Sequence, residues 1–349
     1  MSDLWEYLKN TDRPIVMYGT GDGGDKIFAE LDRLGIKVSG VFASDGFVRS
    51  REFHGYRVIS YSDAKKQFGD GMIILLAFGS SLPDVMERFF ALDSIHELYA
   101  PDVPVAGGEI FNAAFYEKNR ESIELARSLL ADGLSVRVFD SVINYRLSGK
   151  IKYLAENLTL PEDSYESLLH TARYRLAVDL GAYTGDTALE IIDHSPNLTT
   201  VVALEPDEKN FAKLCINVSA EKKVEPHLAA AWDKRDVLLF RKGGGRGIRK
   251  AAKEKTVEVR AVPVDLLLED RIPDFIKFDV EGAEREAING CMNCITKYSP
   301  ELQIALYHKS TDIFALPIMI NKLNPAYKLY MRRYPYVPAW DLNLFAVRD

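Results

Sequence analysis

Twice along the chain a short apolar run ends in a glycine turn and hands over to an amphipathic stretch. It happens first as VMYGTGDGGDKIF (16–28) and again as VDLGAYTGDTALE (178–190). A strand that passes through glycine into a stretch of helical periodicity opens a βαβ unit. Such strands need parallel neighbours and crossover helices, so the chain must build parallel sheets with helices packed against them. In the first turn Gly19, Gly21 and Gly24 keep the G-x-G-x-x-G spacing of a dinucleotide-binding loop. In the second, Gly181 and Gly185 flank a turn that lacks this spacing. The rest of the chain decides which of the two carries chemistry.

The first turn heads a short series. Pro14–Tyr18, KVSGVFASD and MIILLAFGS read as strands, Lys26–Leu34 and LPDVMERFFAL as helices, and IHELYAP as a last short strand. Ile27, Leu31 and Leu34 share one helix face, which Gly35 closes. From 109 to 132 the residues Ile110, Phe115, Ile123, Ala126 and Leu130 fall at helical spacing. FDSVINYRLSGK follows as a helix capped by Asp140 or Ser141 and ended by Gly149. A longer α/β series begins near 171, with strands expected at Leu176–Leu180, Thr200–Leu204, Glu225–Ala231, Asp274–Asp279 and Leu302–Tyr307. DVLLF and VEVRAVPV bracket a glycine-rich loop, and YKLYMRRYPYV and LNLFAV alternate as an antiparallel strand pair does. The expected division is a small Rossmann-like unit over 1–108, a helical connector over 109–170 and a second α/β unit over 171–349. Its parallel sheet is finished by the antiparallel pair.

Charge narrows the partners. With 44 Lys and Arg against 51 Asp and Glu, the net charge of −7 provides no broad basic face for nucleic acid. No apolar run has the length of a membrane span, and MSDLWEYLKN lacks the plan of a secretion signal. Cys215, Cys291 and Cys294 are too few and odd in number for a disulfide framework. A cytoplasmic enzyme acting on a small molecule or glycan is expected, and a homodimer is compatible with the chain. The C-x-x-C of Cys291 and Cys294 falls in a helical stretch without a second pair, so packing cysteines are expected rather than zinc.

The second series places acids where ligands bind, beyond the carboxyl ends of parallel strands. Asp179 ends its first strand, and Gly181, Ala182, Tyr183, Thr184, Gly185 and Asp186 make the turn into the helix. Such a turn brings backbone close to a ligand, and an acid there suits one that carries an amino group. VVALEPD ends the next strand on Glu205 and Pro206, where an acid accepts hydrogen bonds from ribose hydroxyls. PHLAAAWD, ending at Ala231 and Trp232, leaves room for a flat base, with the Trp232 backbone as an edge donor. DFIKFDVEGAERE then delivers Asp279, Glu281 and Glu284 around Gly282, and ALYHK delivers His308. No third ligand stands at a dependable spacing from Asp279 and Glu281, so no metal is expected.

VDLGAYTGDTALE, VVALEPDEKNF, FIKFDVEGAEREAINGC and ALYHKSTDIFALPIMINKLNPAYKLYMRRY together resemble the FkbM family of S-adenosylmethionine-dependent O-methyltransferases. The likeness runs from about residue 134, with LSVRVFDSVINYRLSGK similar to that family's opening helix, to the end. Where the family often shows Arg-His-Tyr, this chain has Arg332-Arg333-Tyr334. The resemblance implies a Rossmann-like methyltransferase sheet and methylation of a hydroxyl on a sugar, glycan precursor or secondary metabolite. It implies that Asp179, Gly181, Tyr183, Gly185 and Glu205 hold S-adenosylmethionine, while Asp279, Glu281 and His308 line the methyl-transfer end. Any of the three could serve as general base, and a histidine's ordinary pKa suits that role at neutral pH.

Three features stand outside this reading. RKGGGRGIRKAAKEK gathers Arg241, Lys242, Arg246, Arg249, Lys250, Lys253 and Lys255, either as a solvated hairpin tip or as a lid over an anionic substrate. The rival function is a nicotinamide oxidoreductase on the first glycine turn, with Asp45 at a ribose-binding distance; against it, the first series shows no second mononucleotide-binding half. A third reading makes 1–108 a nucleotide-sugar or partner-binding module, since its YG-x-G turn resembles that of small N-terminal domains in some sugar acyltransferases.

Overall fold

A computed structural model describes residues 3–48, 52–241 and 256–348. Both glycine turns open parallel sheets. The first sheet contains β1 (Ile15–Tyr18), β2 (Gly40–Ala43), β3 (Glu52–Phe53), β4 (Tyr56–Ser60), β5 (Ile73–Leu76) and β6 (Glu97–Tyr99). Its order is β3-β4-β2-β1-β5-β6, with only β3 antiparallel. β1 and β5, IVMY and IILL, have no exposed residue, as strands covered on both faces require.

This sheet corrects the expected short series. The chain steps outward from β1 to β2 and β4, then returns to the other side of β1 for β5 and β6. The result is doubly wound, with a switch point between β1 and β5. Strand β4 and the helix Tyr61–Phe68 carry the missing outer step. They escape a periodicity reading because YRVIS buries only Val58 fully.

Between the two sheets lie the helices Ala113–Lys118, Arg120–Ser128 and Gly133–Ser148. The cap of the long helix is Asp132, whose Oδ1 accepts the Ser135 amide at 2.7 Å, and not Asp140 or Ser141. Asp140 sits mid-helix and pairs with Arg127 at 2.7 Å. Val138, Phe139, Val142, Ile143 and Tyr145 bury several sides of this helix, which blurs its period and hides its true start. Gly149 ends it in the left-handed region as expected. A single apolar core runs from Val16 and Ile74 through Phe139 and Val142 to Val178 and Ile276, so these helices are a packing layer shared by both sheets.

The second sheet is built from β7 (Leu176–Leu180), β8 (Thr200–Glu205) and β9 (Val224–Leu228), with β10 (Ala230–Ala231), β11 (Asp236–Arg241) and β12 (Thr256–Val262) split off as a small sheet. β13 (Phe275–Phe278), β14 (Glu301–Ala305), β15 (Lys328–Arg333) and β16 (Leu342–Val347) complete it in the order β15-β16-β14-β13-β7-β8-β9. The last two strands pair antiparallel, and β16 inserts between β15 and β14. The expected strand Glu225–Ala231 is therefore two strands in two sheets, because Ala230 and Ala231 pair with Ala261 and Val262. Among the described residues no helix is long and apolar enough to cross a membrane.

Candidate active site

The carboxyl ends of β7, β8, β13 and β14 converge, and a buried ion pair underlies them. Lys277 and Asp179 are register partners on adjacent strands, facing the helix Asp186–His194. The Lys277 ammonium lies 3.6 Å from Asp179, 3.1 Å from the Thr187 hydroxyl and 3.8 Å from Asp279. Burial alone would lower the lysine, but Asp179 and Asp279 outweigh it and hold it charged. Asp179 has no exposed surface, and burial pushes its carboxyl up. Sequence reasoning passed over Lys277. The signal was a lone cation inside the apolar strand FIKF, a position that demands a buried counter-ion.

The second glycine turn packs onto the strand end that carries Asp279. Gly181 has φ +83°, and a Cβ there would fall 1.9 Å from the Asp279 carbonyl oxygen. The amides of Gly181 and Ala182 donate to the Leu204 carbonyl at 3.0 and 2.9 Å, and that of Gly185 to Ala182 at 2.7 Å. Tyr183, at φ +46° and 52% exposed, donates its amide to Glu205 Oε2 at 2.9 Å. The amides of Gly181, Ala182, Tyr183 and Gly185 are thus engaged inside the protein and are not open donors for a ligand. Thr184 and Asp186 carry the turn into the helix, whose Gly185 cap is left-handed.

Glu205 also accepts the Asp207 amide at 2.8 Å across Pro206, and burial raises its carboxyl to about 7. Its register partner is Leu228, which is 42% exposed at the end of β9. That strand end borders Glu205 where Ala231 and Trp232 were expected. Ala231 lies in the small sheet, and the Trp232 amide donates to the Val262 carbonyl at 3.0 Å, so it is not an edge donor for a base.

At the other end, Asp279 Oδ1 accepts the Tyr307 hydroxyl at 3.0 Å. Glu281 and Gly282 follow at φ +54° and +97°, a strained turn that fixes the Glu281 backbone. Glu284 turns inward and takes the Val280 amide at 3.1 Å, so it supports this turn from below. His308 lies 2.8 Å from Glu284 and 3.5 Å from both Asp279 and Glu281, with no exposed surface. Burial would lower its pKa, but Glu284, Asp279 and Glu281 raise it to about 9. The imidazole therefore carries its proton at neutral pH. In that form it holds a proton rather than taking one, which weighs against it as general base beside Asp279 and Glu281.

The sign of this shift makes a prediction. A histidine raised from its ordinary 6.5 to about 9 stabilises the fold fully below pH 6.5 and loses that effect as pH passes 9. Asp312, on the next helix, also faces it. Wild type should exceed His308→Gln in stability by on the order of 3 kcal/mol more at pH 6 than at pH 10. Paired thermal melts read the gap, and a gap that stays constant with pH contradicts the assignment.

The remaining sequence candidates lie elsewhere. Phe78 rests on Gly19, where a Cβ would fall 2.5 Å from its ring, and Asp22 and Asp25 occupy the first turn of the helix behind the G-x-G-x-x-G loop. Both acids oppose a phosphate at that helix end. Asp45 accepts the Ser62 hydroxyl at 2.6 Å. Tyr61 and Lys65, a Tyr-x-x-x-Lys pair that sequence reasoning passed over, are bound to His96 at 2.8 Å and Asp70 at 3.1 Å. Cys291 and Cys294 are buried and their thiols are pushed up by burial, as packing cysteines are. From Lys242 to Lys255 the basic run lies outside the described residues.

The chemistry of the donor set fits S-adenosylmethionine. Neither Asp179 oxygen has a hydrogen-bond partner, with the Lys277 ammonium 3.6 Å away, which suits the approach of a further N–H donor. Comparison with known proteins agrees. Residues 179–337 match the family described as Methyltransferase FkbM domain, which makes methyl transfer from S-adenosylmethionine the chemistry of this unit. No curated protein is significantly similar in sequence. Among solved structures, methyltransferase FkbM from Methylobacillus flagellatus KT is similar with a TM-score of 0.70 at 21% identity, over 97% of this chain and 90% of that one. This likeness shows the fold over both sheets. Aeropyrum pernix fibrillarin in complex with natively bound S-adenosyl-L-methionine is similar at 12% identity, over 51% of this chain and 69% of that one, with a TM-score of 0.32.

Proposed function

We propose, for a chain whose residues 179–337 form a methyltransferase FkbM domain, that the acceptor is a hydroxyl on a sugar, glycan precursor or secondary metabolite. The observation that carries this reading is the oxygen-rich end of the site. Asp279, steadied by the Tyr307 hydroxyl at 3.0 Å, stands directly beyond the glycine turn that faces the cofactor. When bound, S-adenosylmethionine supplies an electrophilic methyl group on a sulfonium. Asp179, the turn Gly181–Asp186, Glu205 and Pro206 hold it, with the Leu228 edge beside the base.

Asp279 is the general base in this reading. It accepts the hydroxyl proton as the acceptor oxygen takes the methyl group, and Lys277 stabilises its carboxylate from 3.8 Å. The buried His308 cation keeps Glu281 and Glu284 from repelling Asp279, so its part is positioning. Holding the reacting oxygen at roughly 3–3.5 Å from its target supplies much of the acceleration without further chemistry. The first sheet has the doubly wound order an oxidoreductase would need, but Phe78 rests on Gly19, and Asp22 and Asp25 oppose a phosphate at the helix end behind that turn.

The test is calorimetry of the full chain with S-adenosylhomocysteine, NADH and a nucleotide-sugar panel. S-adenosylhomocysteine is expected to bind and Asp179→Asn to weaken it by at least tenfold. Binding of NADH with no response to S-adenosylhomocysteine would overturn the reading.

A further inference from the structure

The loop between β15 and β16 joins the two sheets at the methyl-transfer end. Arg333 is buried beneath it, and its guanidinium donates to the carbonyls of Leu154 and, at 3.4 and 3.3 Å, of Tyr334 and Tyr336. Midway, Val337 and Ser80 exchange backbone hydrogen bonds of 2.9 and 3.1 Å. Ser80 and Gly79 follow β5, at the switch point of the first sheet. A Cβ on Gly79 would fall 2.7 Å from the Tyr336 ring and 3.0 Å from Trp340. The crevice in which a doubly wound sheet ordinarily takes a ligand is thus a seat for this loop.

What the loop presents is specific. Tyr336 and Trp340, both half-buried, form an aromatic corner with ring centres 5.7 Å apart and planes at 36°. The next residue, Asp341, is held at φ +71°, and the Asp341 carbonyl closes the loop by accepting the Tyr334 amide at 3.1 Å. The Leu342 carbonyl, next along the chain, accepts the Leu306 amide at 2.9 Å, and the adjacent Tyr307 donates its hydroxyl to Asp279 at 3.0 Å, so Asp341 stands at the same sheet edge as the reacting end. A non-glycine residue locked in this conformation marks a position held for a purpose.

Resting on the hydroxyl-methylation reading, we infer that Tyr336, Trp340 and Asp341 form the acceptor subsite and that it takes the ring of a neutral pyranoside. The aromatic corner matches the apolar C–H face of such a ring. Asp341 accepts a hydroxyl adjacent to the one that faces Asp279. Lys277 and His308 are already paired with Asp279 and Glu281, which leaves carboxylate oxygens at this end for the hydroxyls of a neutral ring. The first sheet acts as the support for this wall.

The test uses the full chain saturated with S-adenosylhomocysteine, titrated by calorimetry and saturation-transfer NMR with the methyl glycosides of glucose, galactose, mannose and rhamnose. A parallel assay with S-adenosylmethionine reads methylation by mass. At least one pyranoside is expected to bind and to be methylated. Trp340→Ala and Asp341→Asn should each raise its KM by tenfold or more while S-adenosylhomocysteine affinity stays within threefold, and Trp340→Phe should restore most of the loss. Asn tolerates the left-handed backbone, so Asp341→Asn reads the subsite even where Trp340→Ala folds poorly. S-adenosylhomocysteine binding with no pyranoside bound or methylated would overturn the inference, as would an unchanged KM in both variants. Failure of S-adenosylhomocysteine itself to bind would instead overturn the methyl-transfer reading beneath it.

Discussion

Asp279→Asn is expected to slow methyl transfer by roughly 10²- to 10⁴-fold, the usual contribution of a positioned general base. The substitution keeps the shape of the side chain and an oxygen for the Tyr307 hydroxyl, which lies 3.0 Å from the carboxylate now. It removes the group that takes the proton and leaves the Lys277 ammonium with Asp179 alone. The loss should appear in kcat, with S-adenosylhomocysteine affinity changed by less than about fivefold, because an interaction made chiefly in the transition state leaves ground-state binding nearly intact. Single-turnover rates beside calorimetry separate the two. A variant within tenfold of wild type would move the base to Glu281 or Asp341.

The second large effect comes from backbone. Gly181→Ala must place a methyl group 1.9 Å from the Asp279 carbonyl oxygen at φ +83°. Neither neighbour is a side chain that can swing aside, so β7 and β13 would have to part at the ends that hold the site. Strain and overpacking together cost on the order of 3–5 kcal/mol, which lowers Tm by roughly 10 °C in a chain of this size. Cofactor binding should vanish at concentrations that saturate wild type. Gly21→Ala is the control. Gly21 has no atom within 4 Å of its Cβ site, and melting and S-adenosylhomocysteine binding are expected to match wild type. Equal effects of the two variants would remove the distinction between the turns.

Much of the site was legible because its signals are local. A strand end, a glycine and an acid within a few residues are adjacent in space whatever the rest of the chain does. VDLGAYTGD, VVALEPD and FDVEGAE therefore placed Asp179, Gly181, Glu205, Asp279 and Glu281 at one sheet edge. The misreadings share a different cause. His308 looked like a base because its ordinary pKa is near neutrality, yet its charge depends on three carboxylates that only the fold brings around it. Trp232 looked open because a backbone amide's partner across a sheet is invisible from its own segment. Asp140 looked like a cap because a helix buried on several sides has no clean apolar stripe.

By itself the sequence determined that the chain builds parallel sheets with helices against them, since the strand–glycine–helix pattern and two runs of buried strands admit little else. It also placed Asp179, Glu205 and Asp279 at the ends of strands in the second series. Only the tertiary structure decided that the first glycine turn is filled by Phe78 and flanked by Asp22 and Asp25, and that the crevice beside it seats the Tyr334–Asp341 loop. It alone paired Lys277 with Asp179, buried His308 among three acids and brought Asp341 to the sheet edge that carries Asp279 from sixty-two positions along the chain. Charge state and access depend on what lies across space, and burial gives those distant neighbours their strength by removing the water that would screen them.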